Sequence, residues 1–324
     1  MPARRSFKEQ LAAIDELRQQ SPKSAAEPLR KALGHKNNYV VAKAADLARD
    51  FELRELLPEL LTAFDHFFND PVKTDPQCWA KNAISRALAA FEYQEPDVFL
   101  RGMKHIQLEP VWGGRSDTAG TLRGTCALAL VQCRSVPENQ LLMHLLDLLR
   151  DADKSVRVEA VRAIEQIGSY SAGLLLRLRA VIGSDEPEVL GACYSGVLRI
   201  EGAKAIPWIA RFLETADDAA GEAALAIAGT RSPEAFAVLQ KQLPQQHDPW
   251  FRSVLFSAIA LTRQPEALDF LFDLVRKESR DASFAVEAML RSMPSLEIVQ
   301  QIEQLVADKP DLARTFARHR TESQ

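Results

Sequence analysis

The stretch at residues 153–168, DKSVRVEAVRAIEQIG, decides the fold of this chain. Its apolar residues recur at the three- and four-residue steps that place side chains on one face of a helix. These residues are Val156, Ala160, Ala163, Ile164 and Ile167. Asp153 stands where a carboxylate can accept hydrogen bonds from the free amides of the first helical turn. The stretch therefore predicts an amphipathic helix whose apolar face is buried against another element.

The same pattern recurs along the chain. The positions equivalent to Val156 are 40, 79, 122, 156, 189, 219, 251 and 282, at successive spacings of 39, 43, 34, 33, 30, 32 and 31 residues. Leucine-rich partner segments lie between these helices, as in PENQLLMHLLDLLRD and PEALDFLFDLVRKE. Trp79 and Phe251 occupy two of the equivalent positions, so we expect both in the core. Two helices in every unit, without a strand signal, predict an α-solenoid.

The predicted fold class is all-α, a right-handed α-solenoid of about eight antiparallel helix pairs in an armadillo-type superhelix. Its second helices are expected near residues 37–51, 75–92, 118–133, 153–168, 186–201, 217–229, 248–262 and 279–293. The segments VRVEAVRAIEQIG, LRGTCALALVQC and FRSVLFSAIAL resemble the second helix of a HEAT repeat. The resemblance covers roughly residues 24–310. It implies a HEAT-like fold, which serves scaffolds, transport factors, assembly chaperones and a few enzymes.

Both ends of the array are expected to be covered. An N-terminal capping helix is predicted within residues 1–23, where Ser6 and Glu9 have capping-box spacing. The apolar face of that helix consists of Phe7, Leu11, Ile14 and Leu17. The repeats fill residues 24–310, and their last helix, LEIVQQIEQLVADK, is expected to cap the other end. Residues 311–324, which contain ARHRTESQ, are predicted to form a flexible basic tail.

Charge and composition bear on the class of partner and on the compartment. A net charge of −4 and a pI near 6.0 argue against a nucleic-acid partner, which requires a basic surface. No run approaches the length of a membrane span, and the basic residues at the start are followed by no apolar run. We therefore expect a cytoplasmic protein without a membrane segment. The four cysteines lie inside helical patterns without a CxxC pair, so we expect them free and buried.

No cofactor or metal is predicted. The six histidines form no HExxH motif and no Cys/His cluster with zinc spacing. Deoxyhypusine hydroxylase, an iron enzyme with a similar fold, is characterised by His-Glu pairs. Each histidine of this chain is instead followed by Lys, Phe, Ile, Leu, Asp or Arg. The similarity to that enzyme is therefore limited to the repeats.

Arg123, Arg157 and Arg252 occupy the same place, one residue after the apolar anchor of a second helix. A row of arginines can bind phosphate or carboxylate groups. In HEAT arrays, however, this arginine commonly pairs with an aspartate near the start of the same or a neighbouring helix. Asp153 and Asp248 stand four residues before Arg157 and Arg252. The pattern favours a structural ladder over a row of ligand-binding residues.

Two neighbouring connections are enlarged, FNDPVKTDPQC at 68–78 and LEPVWGGRSDTAG at 108–120. Each joins the first helix of a pair to the second, so both are expected on one edge of the array, side by side at about 10 Å. Insertions that map to one face of a repeat protein often mark the binding face. The predicted partner-binding residues are Lys73, Asp75, Trp112, Arg115, Asp117 and Arg123.

The isolated Trp112 allows two interpretations. Gly113 and Gly114 give the backbone unusual freedom, and an exposed Trp beside Arg115 has the composition of a protein-binding hot spot. Alternatively, Trp112 folds back to plug the space between the second and third pairs, with Arg115 bonded to Asp117 or Asp75. The sequence leaves both interpretations open.

The predicted function is a non-catalytic protein-protein interaction module or assembly scaffold. A protein or peptide partner is expected to bind the concave face of the second helices together with the two enlarged connections. The outward positions of the second helices have mostly small or mild polar side chains, which suit a protein partner better than a nucleic acid. These positions are Asp46, Ser85, Arg162, Ser195 and Ser257. The oligomeric state stays open.

The alternative is a HEAT-like enzyme or cofactor-handling protein. The alkylpurine DNA glycosylases of this fold hold a base in a cleft lined by Trp, Asp and Arg, and Trp112, Asp117 and Arg123 are the same residue types. The HEAT-like bilin lyases share the repeat type, but no pigment pocket is marked in this sequence. The acidic charge balance disfavours DNA as the substrate.

Overall fold

The computed structural model describes residues 7–292 and 295–322, and the chain divides after Ile167 into two compact units. Ser6, the expected cap of the first helix, lies outside the described residues. Adjacent helices pack as pairs within each unit, so the prediction of an all-α fold of packed helix pairs is confirmed. A short β-hairpin in the first unit is the one sheet among the described residues, where the sequence predicted no strand.

Within residues 7–167, the first unit contains ten helices and the hairpin. They are α1 (Phe7–Leu17), α2 (Pro22–Leu33), α3 (Asn38–Asp50), α4 (Leu57–His66), α5 (Pro71–Thr74), α6 (Trp79–Ala90), α7 (Pro96–Met103), β1 (Leu108–Val111), β2 (Gly114–Asp117), α8 (Gly120–Val131), α9 (Glu138–Leu148) and α10 (Lys154–Ile167). Short 3₁₀ turns precede α4 and α6. The second helices α3, α6, α8 and α10 pack one on the next, and α2, α4, α7 and α9 are their partners.

The part of the second unit that the structure describes contains ten helices. They are α11 (Tyr170–Ile182), α12 (Pro187–Glu201), α13 (Ile206–Ala210), α14 (Asp218–Gly229), α15 (Pro233–Gln242), α16 (Pro249–Leu261), α17 (Pro265–Arg276), α18 (Ala282–Ser292), α19 (Leu296–Val306) and α20 (Pro310–Glu322). Three 3₁₀ turns adjoin α13 and α15. The helices α12, α14, α16, α18 and α20 follow one another as packed second helices.

The core of each unit contains a row of mostly small side chains from the second helices. The residue four positions after the Val156-like residue is fully buried in every second helix from α3 to α18. These residues are Ala44, Ala83, Cys126, Ala160, Cys193, Ala223, Leu255 and Val286. Most are Ala or Cys, and small side chains let neighbouring helices approach closely. All four cysteines are free and buried, which confirms the sequence expectation.

Trp79 corrects the prediction that both large aromatic anchors lie in the core. Phe251 is fully buried, whereas 43% of Trp79 is exposed. The helix α6 begins at Trp79 directly after two residues with left-handed backbone, Gln77 and Cys78, and the buried Cys78 takes the place at the core. The Trp79 ring lies against Tyr39 at 4.7 Å between centroids, and its Nε1 donates to Gln77 Oε1 at 3.1 Å.

The expected flexible tail at 311–324 is instead largely a helix. Pro310 begins α20, and this helix packs against α18 and α19. Leu312, Phe316 and His319 are buried at the spacing of one helix face, which the basic residues between them obscure in the sequence. At the N-terminus, α1 covers α3 with Ile14 and Leu17 buried.

The docking of α20 gives a first prediction. We expect Phe316→Ala to lower the free energy of unfolding of the second unit by about 3 kcal/mol, since a buried phenylalanine is replaced by a cavity. The control is Arg314→Ala on the exposed face of the same helix, which is expected to change stability by less than about 0.5 kcal/mol. Urea denaturation followed by circular dichroism measures both. Equal stability of the two variants would mean that residues 311–324 are a flexible tail after all.

Candidate functional site

The enlarged connection at 108–120 is a β-hairpin that projects into solvent. β1 and β2 are antiparallel, with Val111 opposite Gly114 and a two-residue turn of Trp112 and Gly113 between them. Gly113 has a φ of 88°, a left-handed conformation that the turn requires and glycine tolerates. Trp112 has a relative exposure of 103%, so its whole side chain is in solvent. The structure therefore contradicts the interpretation of Trp112 as a plug.

The first strand of the hairpin and the residues just before it have polar side chains buried and apolar side chains exposed. Gln107 and Glu109 are buried, whereas Ile106, Leu108 and Val111 are exposed together with Trp112. Strands that pack on a core normally show the opposite alternation. Ile106 and Leu108 lie on the face opposite Gln107 and Glu109, and Val111 and Trp112 are exposed at the tip. We call Ile106, Leu108, Val111 and Trp112 the hairpin surface.

The buried polar side chains bond the hairpin to the connection before α6. The Gln107 side-chain amide donates to the Asp75 carbonyl oxygen at 2.8 Å and to Glu109 Oε1 at 2.7 Å. The same Glu109 oxygen accepts from the Gln77 backbone N–H at 2.5 Å and from the Thr118 hydroxyl at 2.7 Å. The two enlarged connections are thus in direct contact, as predicted. We call Asp75, Lys81, Gln107, Glu109 and Thr118 the polar junction.

Asp75 is buried, which corrects its prediction as a residue that contacts a partner. Its side chain and that of Lys81 are both 0% exposed, with 2.9 Å between Lys81 Nζ and Asp75 Oδ2. The Asp75 carboxylate also accepts from the backbone N–H groups of Ala80 and Lys81 and from the Asn38 side chain. Lys81 Nζ donates to the Phe67 carbonyl oxygen at 3.1 Å. Asp75 therefore caps α6 and fixes the 68–78 connection.

Arg123 is likewise buried and structural. Its guanidinium bonds Asp117 at 2.6 Å, Asp151 at 2.8 and 2.9 Å, and the His105 carbonyl oxygen at 3.0 Å. For Arg123 and Arg252 the interpretation as structural residues holds, because each bonds an aspartate just before the next second helix, Asp151 before α10 and Asp281 before α18. Arg252 bonds Asp281 at 2.6 Å, rather than Asp248, which caps its own helix.

The carboxylates at the base of the hairpin are held in the charged form. Burial raises the pKa of Glu109, but hydrogen bonds from Thr118, Gln77 and Gln107 outweigh burial and bring the pKa below its usual value. Burial also opposes ionisation of Asp117, yet the N–H groups of Gln107 and Ala119 and the Arg123 guanidinium lower its pKa. Burial lowers the pKa of His105, so this ring favours its neutral form.

The six predicted site residues therefore divide into two groups. Asp75 and Arg123 are buried, and Asp117 is half-buried with its carboxylate bonded to Arg123. Lys73, Trp112 and Arg115 are exposed. Arg115 has no ion pair within residues 7–292 and 295–322, and the alternative partners considered for it, Asp117 and Asp75, are bonded elsewhere.

Sequence reasoning missed the other exposed apolar residues of this region. Ile106, Leu108 and Val111 look like ordinary core residues in the sequence. The signal that could have found them is IQLEPV, in which apolar and polar residues alternate before the Gly-Gly pair at 113–114. The Tyr39 and Trp79 ring pair, also partly exposed, was missed because it stands at a core phase of the repeat.

The outward face of the second helices is more charged in the first unit than the sequence suggested. Asp46 is bonded to Arg49 and to Arg86, and Arg162 is bonded to Glu159. Ser85, expected on this face, is fully buried and donates to the Asn82 carbonyl oxygen. In the second unit, Ser195 and Ser257 are half-buried. The hairpin surface is therefore the more distinctive candidate.

A second apolar surface lies on α11 in the second unit. Its exposed residues are Tyr170, Ser171, Leu174, Leu178, Val181 and Ile182, without a charged side chain among them. The two arginines of this helix bond Glu201 and Asp185 within the same unit. An exposed apolar stripe of this kind is typical of an interaction surface. We call it the α11 surface.

Residues 142–224 match the family model of HEAT repeats. The matched range includes α10 and the sequence stretch from which the repeat pattern was identified, so the resemblance is confirmed. The sequence matches no curated protein. Within the residues that the structure describes, no helix combines the length and apolar character needed to cross a membrane. No group of three or more His, Cys, Asp or Glu side chains in this part of the chain is placed to hold a metal ion.

The buried ion pair gives a second prediction. Lys81→Met leaves the Asp75 carboxylate buried without its counter-charge, and we expect a loss of about 3–5 kcal/mol in the free energy of unfolding of the first unit. The matched control is Lys73→Met, the same substitution at an exposed site of the adjoining connection, with an expected change below about 0.5 kcal/mol. Urea denaturation provides the comparison. A loss in Lys81→Met no larger than in the control would contradict the structural role of Asp75.

The lowered pKa values give a third prediction. Because the folded pKa values of Glu109 and Asp117 lie below the usual 4.5 and 3.8, their contribution to stability is complete above those values. It is lost as the pH falls through the lower, folded pKa values. We expect the first unit of the wild type to lose stability more steeply than Glu109→Gln when the pH falls below 4.5.

The measurement is the urea midpoint of the first unit at a series of pH values, with the exposed Glu16→Gln as control. The control is expected to follow the wild type. Identical slopes for wild type and Glu109→Gln would show that Glu109 has the same pKa in the folded and unfolded chains.

Proposed function

We propose that this chain, whose residues 142–224 match HEAT repeats, is a non-catalytic interaction module that binds a protein or peptide partner through the hairpin surface. HEAT repeats generally mediate protein-protein interaction, which agrees with this proposal. The superhelix of about eight pairs with a right-handed twist stays a prediction. So does the contribution of its concave face to the interface.

The observation that carries the proposal is the complete exposure of Trp112 on a hairpin that turns its apolar side chains to solvent. Large apolar side chains that stay exposed in contiguous patches mark interaction sites. Trp and Arg are the residue types most enriched among binding hot spots. Trp112 and Arg115 are both exposed on this hairpin, separated by two glycines.

The base of the hairpin supports the same proposal. The buried polar groups of the base bond one another through the polar junction and Arg123. A hairpin fixed at its base loses little conformational entropy when a partner binds its tip. Rigid presentation of an aromatic anchor favours binding.

The glycosylase-like alternative receives less support. Of the three residue types it requires, Asp117 and Arg123 are bonded to each other at 2.6 Å, and Arg123 is buried. Only Trp112 of this set is fully exposed. No observation on the described residues favours a pigment-binding role.

The test of this proposal compares partner retention by variants of the full chain. We expect the double substitution Trp112→Ala with Arg115→Ala to weaken binding by about 30-fold or more, because truncation of a hot spot costs about 2 kcal/mol or more. The unfolding midpoint should stay unchanged, since both side chains are exposed. The measurement is quantitative pull-down from the native cell, followed by titration of the retained protein.

Two further variants make the result decisive. Leu296→Ala removes an exposed apolar side chain of α19 and should retain the partner fully. Leu178→Lys places a charge on the α11 surface. If partners are lost with Leu178→Lys but kept by the hairpin variant, the α11 surface is the interface and the proposal is wrong.

A further inference from the structure

The hairpin sheet has two strands, so each strand has one edge without a partner strand. Such an edge presents backbone N–H and C=O groups that can pair with another chain. The pairing register decides which residues present these groups. In an antiparallel pair, opposite residues alternate between hydrogen-bonded and non-hydrogen-bonded positions, and the latter direct their backbone groups outward.

The register is fixed at the base of the hairpin. The Thr118 N–H donates to the Gln107 carbonyl oxygen at 3.0 Å, which makes these two residues a hydrogen-bonded pair. Alternation then makes Glu109 with Ser116, and Val111 with Gly114, the next hydrogen-bonded pairs. The outward backbone groups therefore belong to Leu108 and Pro110 on β1, and to Arg115 and Asp117 on β2.

The two edges are not equivalent. Pro110 has no N–H, so the middle of the β1 edge lacks a donor and resists further pairing. On β2, Arg115 offers both its N–H and its C=O outward, and Asp117 offers the same groups two residues later. Gly114, Arg115 and Ser116 are all exposed, so the β2 edge is open to solvent.

The charge of Arg115 favours a partner with an acidic side chain at the open edge of β2. The Asp117 carboxylate is neutralised by Arg123, and Glu109 is buried in the polar junction. Arg115 is therefore the one exposed charge on the two strands, and it has no ion pair among the described residues. A partner that approaches this edge meets a single unpaired cation, which favours an anionic side chain opposite Arg115.

We propose that the partner of the hairpin is an extended peptide segment that pairs antiparallel with the β2 edge and carries Asp or Glu opposite Arg115. This inference rests on the proposed function and names the mode of binding. The peptide strand accepts from and donates to the backbone of Arg115 and Asp117. Directly opposite residues share a face of the sheet, so the peptide carboxylate lies beside the Arg115 guanidinium.

The probe for this proposal is a phage-displayed library of random dodecapeptides, panned against the immobilised full chain. We expect the recovered peptides to combine β-branched residues with at least one acidic residue. Their binding should fall by about tenfold or more with Arg115→Pro, which removes the outward donor but leaves the hydrogen bonds between β1 and β2 intact. Arg115→Gln, which removes only the charge, should give a smaller loss.

A second measurement does not depend on how the proline variant folds. Amide hydrogen exchange of the wild-type chain should become slower by about tenfold or more at Arg115 and Asp117 when a recovered peptide binds. The Ser116 amide, already bonded to Glu109, should change little. Methylation of the peptide nitrogen that faces the Arg115 carbonyl oxygen should abolish binding.

The outcomes separate this inference from the proposed function. Peptides that lose binding with Trp112→Ala, but leave exchange at Arg115 and Asp117 unchanged, would overturn the strand-pairing mode and leave the hairpin as the interface. If none of the recovered peptides depends on Trp112 or Arg115, both the mode and the proposed function are wrong.

Discussion

The buried ion pair between Asp75 and Lys81 is the interaction on which the candidate site depends. An isolated charge inside a protein is very costly, so each of these groups needs its partner and further hydrogen bonds. The donors and acceptors around the pair come from the Asn38 side chain, the Phe67 carbonyl oxygen and the backbone N–H groups of Ala80 and Lys81. Gln107 bonds the carbonyl oxygen of the same aspartate and so extends this arrangement to the hairpin.

This requirement explains why the hairpin turns its apolar side outward. A shift of the strand by one residue would bury Leu108 and expose Gln107 and Glu109. Burial of one leucine side chain gains about 1.5–3 kcal/mol. The same shift would remove the partners of the Asp75 carbonyl oxygen and the Gln77 N–H, at about 1–3 kcal/mol for each group left buried. These lost hydrogen bonds offset an apolar gain of this size, and the polar junction therefore favours the register in which the hairpin surface is exposed.

The repeat could be predicted because the residues that recur at its period all serve to pack one second helix against the next. Ala160 and its equivalents are buried wherever a second helix packs on the next, so the spacing alone locates those helices. The tail at 311–324 was misjudged because Arg318 and Arg320 flank His319 and conceal an apolar face with Leu312 and Phe316. That face is buried only because α18 and α19 are adjacent.

The candidate site was predictable in position but not in chemistry. The lengths of the two connections indicated where they lie and that they meet. The burial of Asp75 could not be foreseen, because its partner Lys81 stands inside a helix where lysine is normally exposed. The same holds for Arg123, whose partner Asp151 is remote in sequence. Side-chain pairing across long separations depends on packing that local patterns do not contain.

The central claim is that the folded chain holds Trp112 in solvent. It is tested most directly by the fluorescence of a variant in which Trp79, Trp208 and Trp250 are replaced by phenylalanine, so that Trp112 is the only emitter. With circular dichroism showing an intact fold, we predict the emission maximum and acrylamide quenching of a free indole in water. A blue-shifted emission with slow quenching would mean that Trp112 is packed against the protein and would contradict the account.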